Sequence, residues 1–135
     1  MHARRGRCAV QFQGGGPRPA ITAAAIACLY NAGDYDDKFV PKMLKYAESN
    51  LNNISNQGFG HWHYAHYYYA QVMYREGGDK WDKYRDQIYA RLMNESAEDR
   101  NGVYWTQGYV GTIYTTAINL TILQLDKNIL PIYQR

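Results

Sequence analysis

The sequence is poor in cysteine and contains no long apolar run. With only Cys8 and Cys28 in 135 residues, the disulfide-dense scaffold of small secreted domains is excluded. The longest mostly apolar run covers residues 20–30 and falls far short of the ~18 residues that a membrane-spanning helix needs. No apolar stretch directly follows the arginine-rich start, so a secretory signal is not expected. We therefore predict a single cytoplasmic domain without an integral membrane segment.

A basic surface is also missing. The formal net charge is +3, yet residues 1–20 hold four arginines and no acidic residue. Subtracting these four from the 15 lysines and arginines leaves 11 bases against 12 acids, a charge of −1 for the rest of the chain. A nucleic-acid partner is therefore not expected. The glycine-rich motifs that cradle phosphates are absent as well.

Tyrosine is the residue that the chain has in excess. It occurs 14 times, against three phenylalanines and three tryptophans. A tyrosine ring is apolar, but its hydroxyl needs a hydrogen-bond partner when it is buried. So many tyrosines predict a core, a cavity or an interface that has polar points within it.

The chain repeats itself with a period of 44 residues. One step places Gln13–Gly16 on Gln57–Gly60 and Tyr30 on Tyr74, and a second step leads to Asn101–Gly102. A period in the forties is typical of stacked helical hairpins, none of which can bury its apolar face alone.

Five helices are predicted between the glycine turns. They cover residues 20–32, 36–51, 62–76, 79–93 and 112–125, and Asp36 or Asp37 is expected to cap the second. The second and fourth are charged on one side, as outer helices are, whereas the first, third and fifth are nearly charge-free. This alternation predicts an all-α fold, a curved array of antiparallel helical hairpins. Cys28 and Trp105 are both expected to be buried.

Several of these segments resemble one known repeat family. Gln57-Gly58-x-Gly60-x-Trp62, Asn101-Gly102-x-x-Trp105, the stretch 66–71 with Gly77-Gly78, and residues 130–134 resemble the prenyltransferase and squalene-oxidase repeat. The resemblance implies an α/α toroid, here incomplete with about five helices. It implies a repeat domain over residues 20–135 after a leader of residues 1–19, and either the carboxy-terminal portion of a longer toroid protein or a shortened relative of one.

The catalytic groups of that family are not recognisable. Residues 34–37 match the Asp-x-Asp-Asp acid of the cyclases that the chain resembles, but they follow Gly33 and precede an outer helix, which favours helix capping. The Asp-x-Cys of a prenyltransferase zinc site is absent. His61, His63 and His66 are three histidines that could bind a metal, yet structural stacking among tyrosines is the favoured interpretation. We therefore predict no metal and no cofactor, and the catalytic residues, if any, stay unknown.

Ligand binding is predicted on the inner helices. Aligned by the repeat, Thr22, His66 and Thr116 occupy equivalent positions, which suggests a polar seam or a wet inner surface. The alternative is that the threonines bond to the preceding helical turn and only allow close packing. The candidates for an aromatic, concave surface that takes an apolar or isoprenoid-like ligand are Thr22, His63, His66, Tyr67, Tyr69, Tyr114, Thr116 and Asn119.

Two functions remain open. The first is a binding or assembly module without a complete catalytic site. The second is the carboxy-terminal part of a cyclase- or prenyltransferase-like enzyme that acts on isoprenoids. Self-association, or contact with missing repeats, is predicted at the flank of the first helix, where Ile21, Ile26 and Leu29 would lie unsupported.

Overall fold

The computed structural model describes residues 16–35, 38–51, 61–127 and 129. Within this part the fold is predominantly helical, so the predicted all-α class is confirmed. The five helices are α1 (Pro19–Asn31), α2 (Val40–Leu51), α3 (Trp62–Glu76), α4 (Gly78–Glu95) and α5 (Thr112–Leu123). A short hairpin of β1 (Ala97–Asp99) and β2 (Gly102–Tyr104) separates α4 from α5, and a 3-10 turn, Leu125–Lys127, follows α5.

The glycine after α1 ends that helix in the predicted way. Gly33 has a φ of 82°, a left-handed conformation that costs glycine little. The amide of Gly33 donates to the Tyr30 carbonyl, and the amide of Asp34 donates to the Leu29 carbonyl. These two bonds form a Schellman motif, which satisfies carbonyls that the helix leaves without partners.

Helix α2 has the one-sided pattern of an outer helix. Its buried residues are Val40, Met43, Leu44, Ala47 and Leu51, and the lysines and the glutamate between them are exposed. The predicted cap residues Asp36 and Asp37 lie outside the described residues, so the cap stays a prediction. The domain boundary at residue 19 stays a prediction as well.

Helix α3 is the centre of the fold. It packs against α1 on one flank and α5 on the other, and α4 also packs against it. Helix α2 packs against α1. The three nearly charge-free helices therefore have α3 in the middle, while the charged helices α2 and α4 each cover one of them.

The β-hairpin was not predicted. Ala97 pairs with Tyr104 and Asp99 with Gly102 in an antiparallel register. The Asp99 carboxylate accepts a hydrogen bond from the Asn101 amide at 2.7 Å, which closes the turn in the manner of an Asx-turn. The turn indicated by the repeat is thus present, but it consists of Arg100 and Asn101, and it joins two strands, of which Gly102 begins the second.

Trp105 is buried as predicted. It is only 1% exposed, and its indole Nε1 donates to the Leu92 carbonyl of α4 at 2.7 Å. Its amide donates to Thr116 Oγ1 of α5 at 3.0 Å. This one residue therefore ties the chain after β2 to both neighbouring helices.

Two predictions about α1 are wrong. Cys28 is exposed, because α1 turns Ala23, Ile26 and Ala27 toward the core, and Cys28 lies outside that stripe. Ile26, which was expected to lie unsupported, is fully buried. Ile21 and Leu29 are half-buried, and self-association at this flank stays a prediction. Large exposed apolar side chains occur at α5, where Ile113 is 88% exposed.

Candidate ligand-binding surface

Helix α3 is covered on most sides, but one narrow strip is open. Ten of its fifteen residues are buried. The open strip carries His61, just before the helix, and then Tyr64, Tyr67 and Tyr68, all exposed or half-buried. Positions three, four and seven apart lie on the same side of a helix. The strip therefore presents a row of aromatic rings.

The rings of this strip contact one another and those of the α5 region. Tyr64 and Tyr68 have ring centroids 4.9 Å apart in an edge-on arrangement, and Tyr67 and Tyr68 lie 5.0 Å apart. His61 bridges Tyr64 and Tyr109 at 6.5 and 6.4 Å. We refer to Tyr64, Tyr67, Tyr68, Tyr109 and Tyr114 as the tyrosine surface. Edge-to-face pairs hold the rings in fixed orientations.

Two phenols of the tyrosine surface, those of Tyr68 and Tyr114, have a raised pKa. Burial, followed by the neighbouring hydroxyl of Tyr64, raises the pKa of Tyr68. Burial also raises the pKa of Tyr114, with Tyr109 and Tyr64 adding to the effect. In the described parts of α1, α3 and α5 and the residues that flank them, the charged side chains are Arg18, Arg75 and Glu76, at helix ends. The surface thus offers hydroxyl groups and ring area without formal charge.

The opposite side of α3 is closed by α4. His66 is 6% exposed, and its Nδ1 lies 2.9 Å from the Tyr84 hydroxyl of α4. Its ring centroid is 4.3 Å from that of Trp62, and Tyr69 packs edge-on to Tyr84 at 5.2 Å. Burial lowers the pKa of His66 to about 3, with smaller contributions from Arg91 and His63. His66 is therefore neutral at pH 6, as expected for a histidine in a confined aromatic setting.

His63 also lies on the closed side, beneath the covering loop, which we define as residues 105–111. A Cβ atom at Gly108, where φ is 93°, would lie 3.2 Å from His63 Nδ1 and 3.6 Å from Thr115 Oγ1. Thr115 Oγ1 donates to the Gln107 carbonyl at 2.7 Å. Burial lowers the pKa of His63, and Arg91 lowers it further while Glu95 opposes the shift. The loop thus packs closely against His63.

The polar candidates of the predicted seam have separate partners. Thr22 Oγ1 donates to the Arg18 carbonyl four residues earlier, at 2.9 Å, and Thr116 Oγ1 accepts from the Trp105 amide. The side-chain amide of the fully buried Asn119 has no hydrogen-bond partner among the residues that the structure describes. Thr22 therefore bonds to the preceding turn, in the way that sequence reasoning offered as the alternative.

The structure brings some predicted site residues together and separates others. Tyr67 and Tyr114 belong to the tyrosine surface, whereas His66 and Tyr69 lie between α3 and α4. Tyr64, Tyr68 and Tyr109 were not predicted as site residues. The signal for the first two was present, because residues 61, 64 and 68 follow the spacing of one helical face.

No metal centre or membrane span is found in the described part. Residues 16–35, 38–51, 61–127 and 129 contain no group of three or more His, Cys, Asp or Glu side chains that could hold a metal ion. The three histidines are divided, since His61 contacts Tyr64 and Tyr109 while His63 and His66 contact Trp62. Within the same residues, none of the helices combines the length and apolarity needed to cross a bilayer.

Comparisons with known proteins identify no family. No family model matches the chain, and neither the curated proteins nor the solved structures include a match. The resemblance to the prenyltransferase and squalene-oxidase repeat therefore stays a prediction that rests on the quoted turns and their spacing.

Proposed function

We propose that this chain is a helical-repeat binding module whose tyrosine surface takes a neutral, apolar ligand with a hydroxyl head, of the isoprenoid-alcohol kind. The observation that supports this most is the open strip of α3, where half-buried tyrosine rings contact one another. A globular chain buries most of its large apolar residues. A row of rings left accessible on the most enclosed helix is therefore a candidate binding surface.

The chemistry of the strip supports an apolar ligand body. A tyrosine ring offers a large apolar area with little side-chain freedom to lose on binding, because it has only two side-chain torsions. The edge contacts of Tyr68 with Tyr64 and Tyr67 restrict these rings further. Pre-ordered rings lower the entropic cost of association.

The electrostatics support a neutral polar head. The phenols of Tyr68 and Tyr114 stay protonated at neutral pH, because burial raises the pKa of both. Each can donate a hydrogen bond to an alcohol oxygen and accept one in return. The cations of the inner helices, Arg18 and Arg75, lie at helix ends. We therefore expect an alcohol to bind in preference to a diphosphate.

The fold that we propose for the chain is an arc of helical hairpins, similar to an incomplete α/α toroid. The order of α1, α3 and α5, with α2 and α4 on their outside, supports it. The aromatic surface would then be the concave face of the arc. In this proposal His66, Tyr69 and Thr22 stabilise the array and do not contact the ligand.

Binding of farnesol, followed by calorimetry or by quenching of tyrosine fluorescence, tests the proposal. We expect micromolar affinity for the wild type and at least a tenfold loss for Tyr64→Ala and Tyr68→Ala, because ring area is removed. Tyr64→Phe retains the ring and should retain most of the affinity. Tyr64 is 36% exposed, so its replacement should leave the melting temperature almost unchanged.

Tyr35→Ala is the matched control. Tyr35 is 50% exposed and lies near the other end of α3, where its hydroxyl accepts a hydrogen bond from Arg75. Its replacement should not change farnesol affinity. Equal loss in Tyr35→Ala and Tyr64→Ala, tighter binding of farnesyl diphosphate than of farnesol, or no binding to the wild type would contradict the proposal.

A further inference from the structure

Helix α5 carries an exposed apolar stripe that nothing in the described part covers. Ile113 is 88% exposed and Leu120 is 40% exposed, and Ala117 between them is exposed as well. The intervals of four and three residues place all three on one line of the helix. The buried residues of α5 are Thr115, Asn119 and Ile122, which lie on the opposite side. We refer to Ile113, Ala117 and Leu120 as the α5 stripe.

The spacing of the α5 stripe is that of a helix-packing seam. Apolar residues alternately four and three apart form the contact line of two helices that pack at a shallow angle. A small residue at the middle of such a line lets the helix axes approach closely. Ala117 occupies that middle position, with Ile113 one turn before it and Leu120 one turn after it.

The sequence around the α5 stripe contains no charged residues. Residues 101–125 contain no Asp, Glu, Lys or Arg. Val110, 52% exposed, and Tyr109, 70% exposed, extend the apolar area beyond the start of the helix. Together these side chains form an exposed apolar patch, and such patches mark association sites. The exposed Thr112 adds an uncharged polar rim.

We infer that a second copy of this chain covers the α5 stripe, in a two-fold dimer in which the two α5 helices run antiparallel. A neutral stripe can face itself without repulsion between like charges, whereas docking to a charged partner would require complementary charges that residues 101–125 do not contain. A two-fold axis at Ala117 places Ile113 against Leu120 of the partner subunit. Each large side chain then packs beside the small central residue, and the same contact is made twice.

The expected affinity is modest. A standard stable interface buries about 800 Å² per partner, and the stripe with Tyr109 and Val110 supplies the apolar centre of such an interface. We expect a dimer with a dissociation constant in the micromolar range. The patch shares Tyr109 with the tyrosine surface, but Ile113, Ala117 and Leu120 lie on α5 and not on the open strip of α3, so this inference does not depend on the proposed ligand.

Sedimentation velocity of the full chain between 1 and 200 µM tests the inference. The wild type should shift from monomer to dimer across this range. Ile113→Glu should remain monomeric at 200 µM, since it would bury a charge at the seam. Met93→Glu is the matched control, because Met93 is a 59% exposed apolar residue on α4 and its replacement should dimerise like the wild type. Circular dichroism verifies that each variant is folded.

A mixing experiment tests the antiparallel arrangement. The Ile113→Glu chain and the Leu120→Lys chain should each be monomeric alone, but an equimolar mixture should form a heterodimer, because the opposite charges meet in the antiparallel seam. A wild-type monomer at 200 µM, or dimerisation of Ile113→Glu equal to that of the wild type, would overturn the dimer. A mixture that stays monomeric would overturn the antiparallel pairing.

Discussion

The two sides of α3 have similar residues and opposite surroundings. On one side, His66 and Tyr69 are enclosed by α4, and the covering loop lies over His63. On the other, Tyr64, Tyr67 and Tyr68 form an open strip. Both sides are aromatic and both include a histidine. Composition therefore does not separate the buried side of α3 from the open side; coverage by a neighbouring element does.

The closed side has the stronger electrostatic signature. Burial lowers the pKa of His66 to about 3, and the Arg91 guanidinium lies 4.3 Å from the centre of the Trp62 ring. Arg91 also forms an ion pair with Glu95 at 3.0 Å. A perturbed pKa in a cleft often marks a functional group. Here the perturbed histidine is stacked and hydrogen-bonded inside the fold, which is a structural role.

The largest effect on stability is expected from replacing Trp105, the first residue of the covering loop. We expect Trp105→Ala to lower the free energy of unfolding by about 3–5 kcal/mol, as large-to-small aromatic replacements in cores do. The change also leaves the Leu92 carbonyl without its indole donor. Urea denaturation measures the loss.

Trp105→Phe separates the two contributions, because it keeps most of the ring volume and removes only the hydrogen bond to Leu92. We expect it to lose less than half as much stability as Trp105→Ala. A loss below about 1 kcal/mol in Trp105→Ala would mean that the covering loop is not anchored to the core.

The second prediction is a pH dependence that arises on the closed side. The pKa of His66 is about 3 in the folded chain, against about 6.5 when it is unfolded. The unfolded chain therefore takes up the proton first, and stability falls as pH drops from 6.5 toward 3. Between pH 7 and pH 5, we expect the titration of His66 to lower the free energy of unfolding by about 2 kcal/mol.

His66→Gln is the comparison for this pH dependence. Glutamine does not titrate, and its amide can still accept a hydrogen bond from the Tyr84 hydroxyl. The wild type should lose more stability between pH 7 and pH 5 than His66→Gln does, and the contributions of His63 and Glu76, whose pKa values are also lowered, cancel in the difference. Equal slopes for the two chains would show that His66 is open to solvent.

The smallest effect concerns the fit of the covering loop over His63. Gly108→Ala combines an unfavourable positive φ with a Cβ 3.2 Å from His63 Nδ1. Gly111→Ala has a positive φ as well, but nothing lies within 4 Å of its Cβ. We expect both variants to lose about 1 kcal/mol from backbone strain, and Gly108→Ala to lose roughly 1 kcal/mol more from the contact.

Thermal unfolding of the two glycine variants measures this difference. If both melt at the same temperature, the loop is free to move away from His63, and the closed side of α3 is less closed than the structure indicates.

Sequence reasoning predicted the helices well for a specific reason. The apolar spacing of Met43, Leu44, Ala47 and Leu51 depends only on the 3.6-residue period, and the stop at Gly33 depends on local backbone preference. Trp105 was recognised as a core residue from its place in the repeat. The β-hairpin was missed because Asn101-Gly102 favours a turn between strands as well as between helices.

The candidate surface was predicted only in part. Tyr67 and Tyr114 were predicted as members of this surface, but His66 and Tyr69 were assigned to it as well. His66 and Tyr69 are the sequence neighbours of Tyr67 and Tyr68 on α3. Neighbouring residues on a helix point about 100° apart. Adjacency in sequence thus joined side chains that the helix separates.

The sequence by itself determined the five helices, their charged or uncharged character and the turns between them, because these follow from local periodicity and glycine conformation. Only the tertiary structure decided which side of each uncharged helix is covered. Helices α1, α3 and α5 are nearly charge-free all round, so no stripe of charged residues marks the side that stays open. Contact with α4 encloses His66 and leaves Tyr64 open, and no element of the described part covers Ile113.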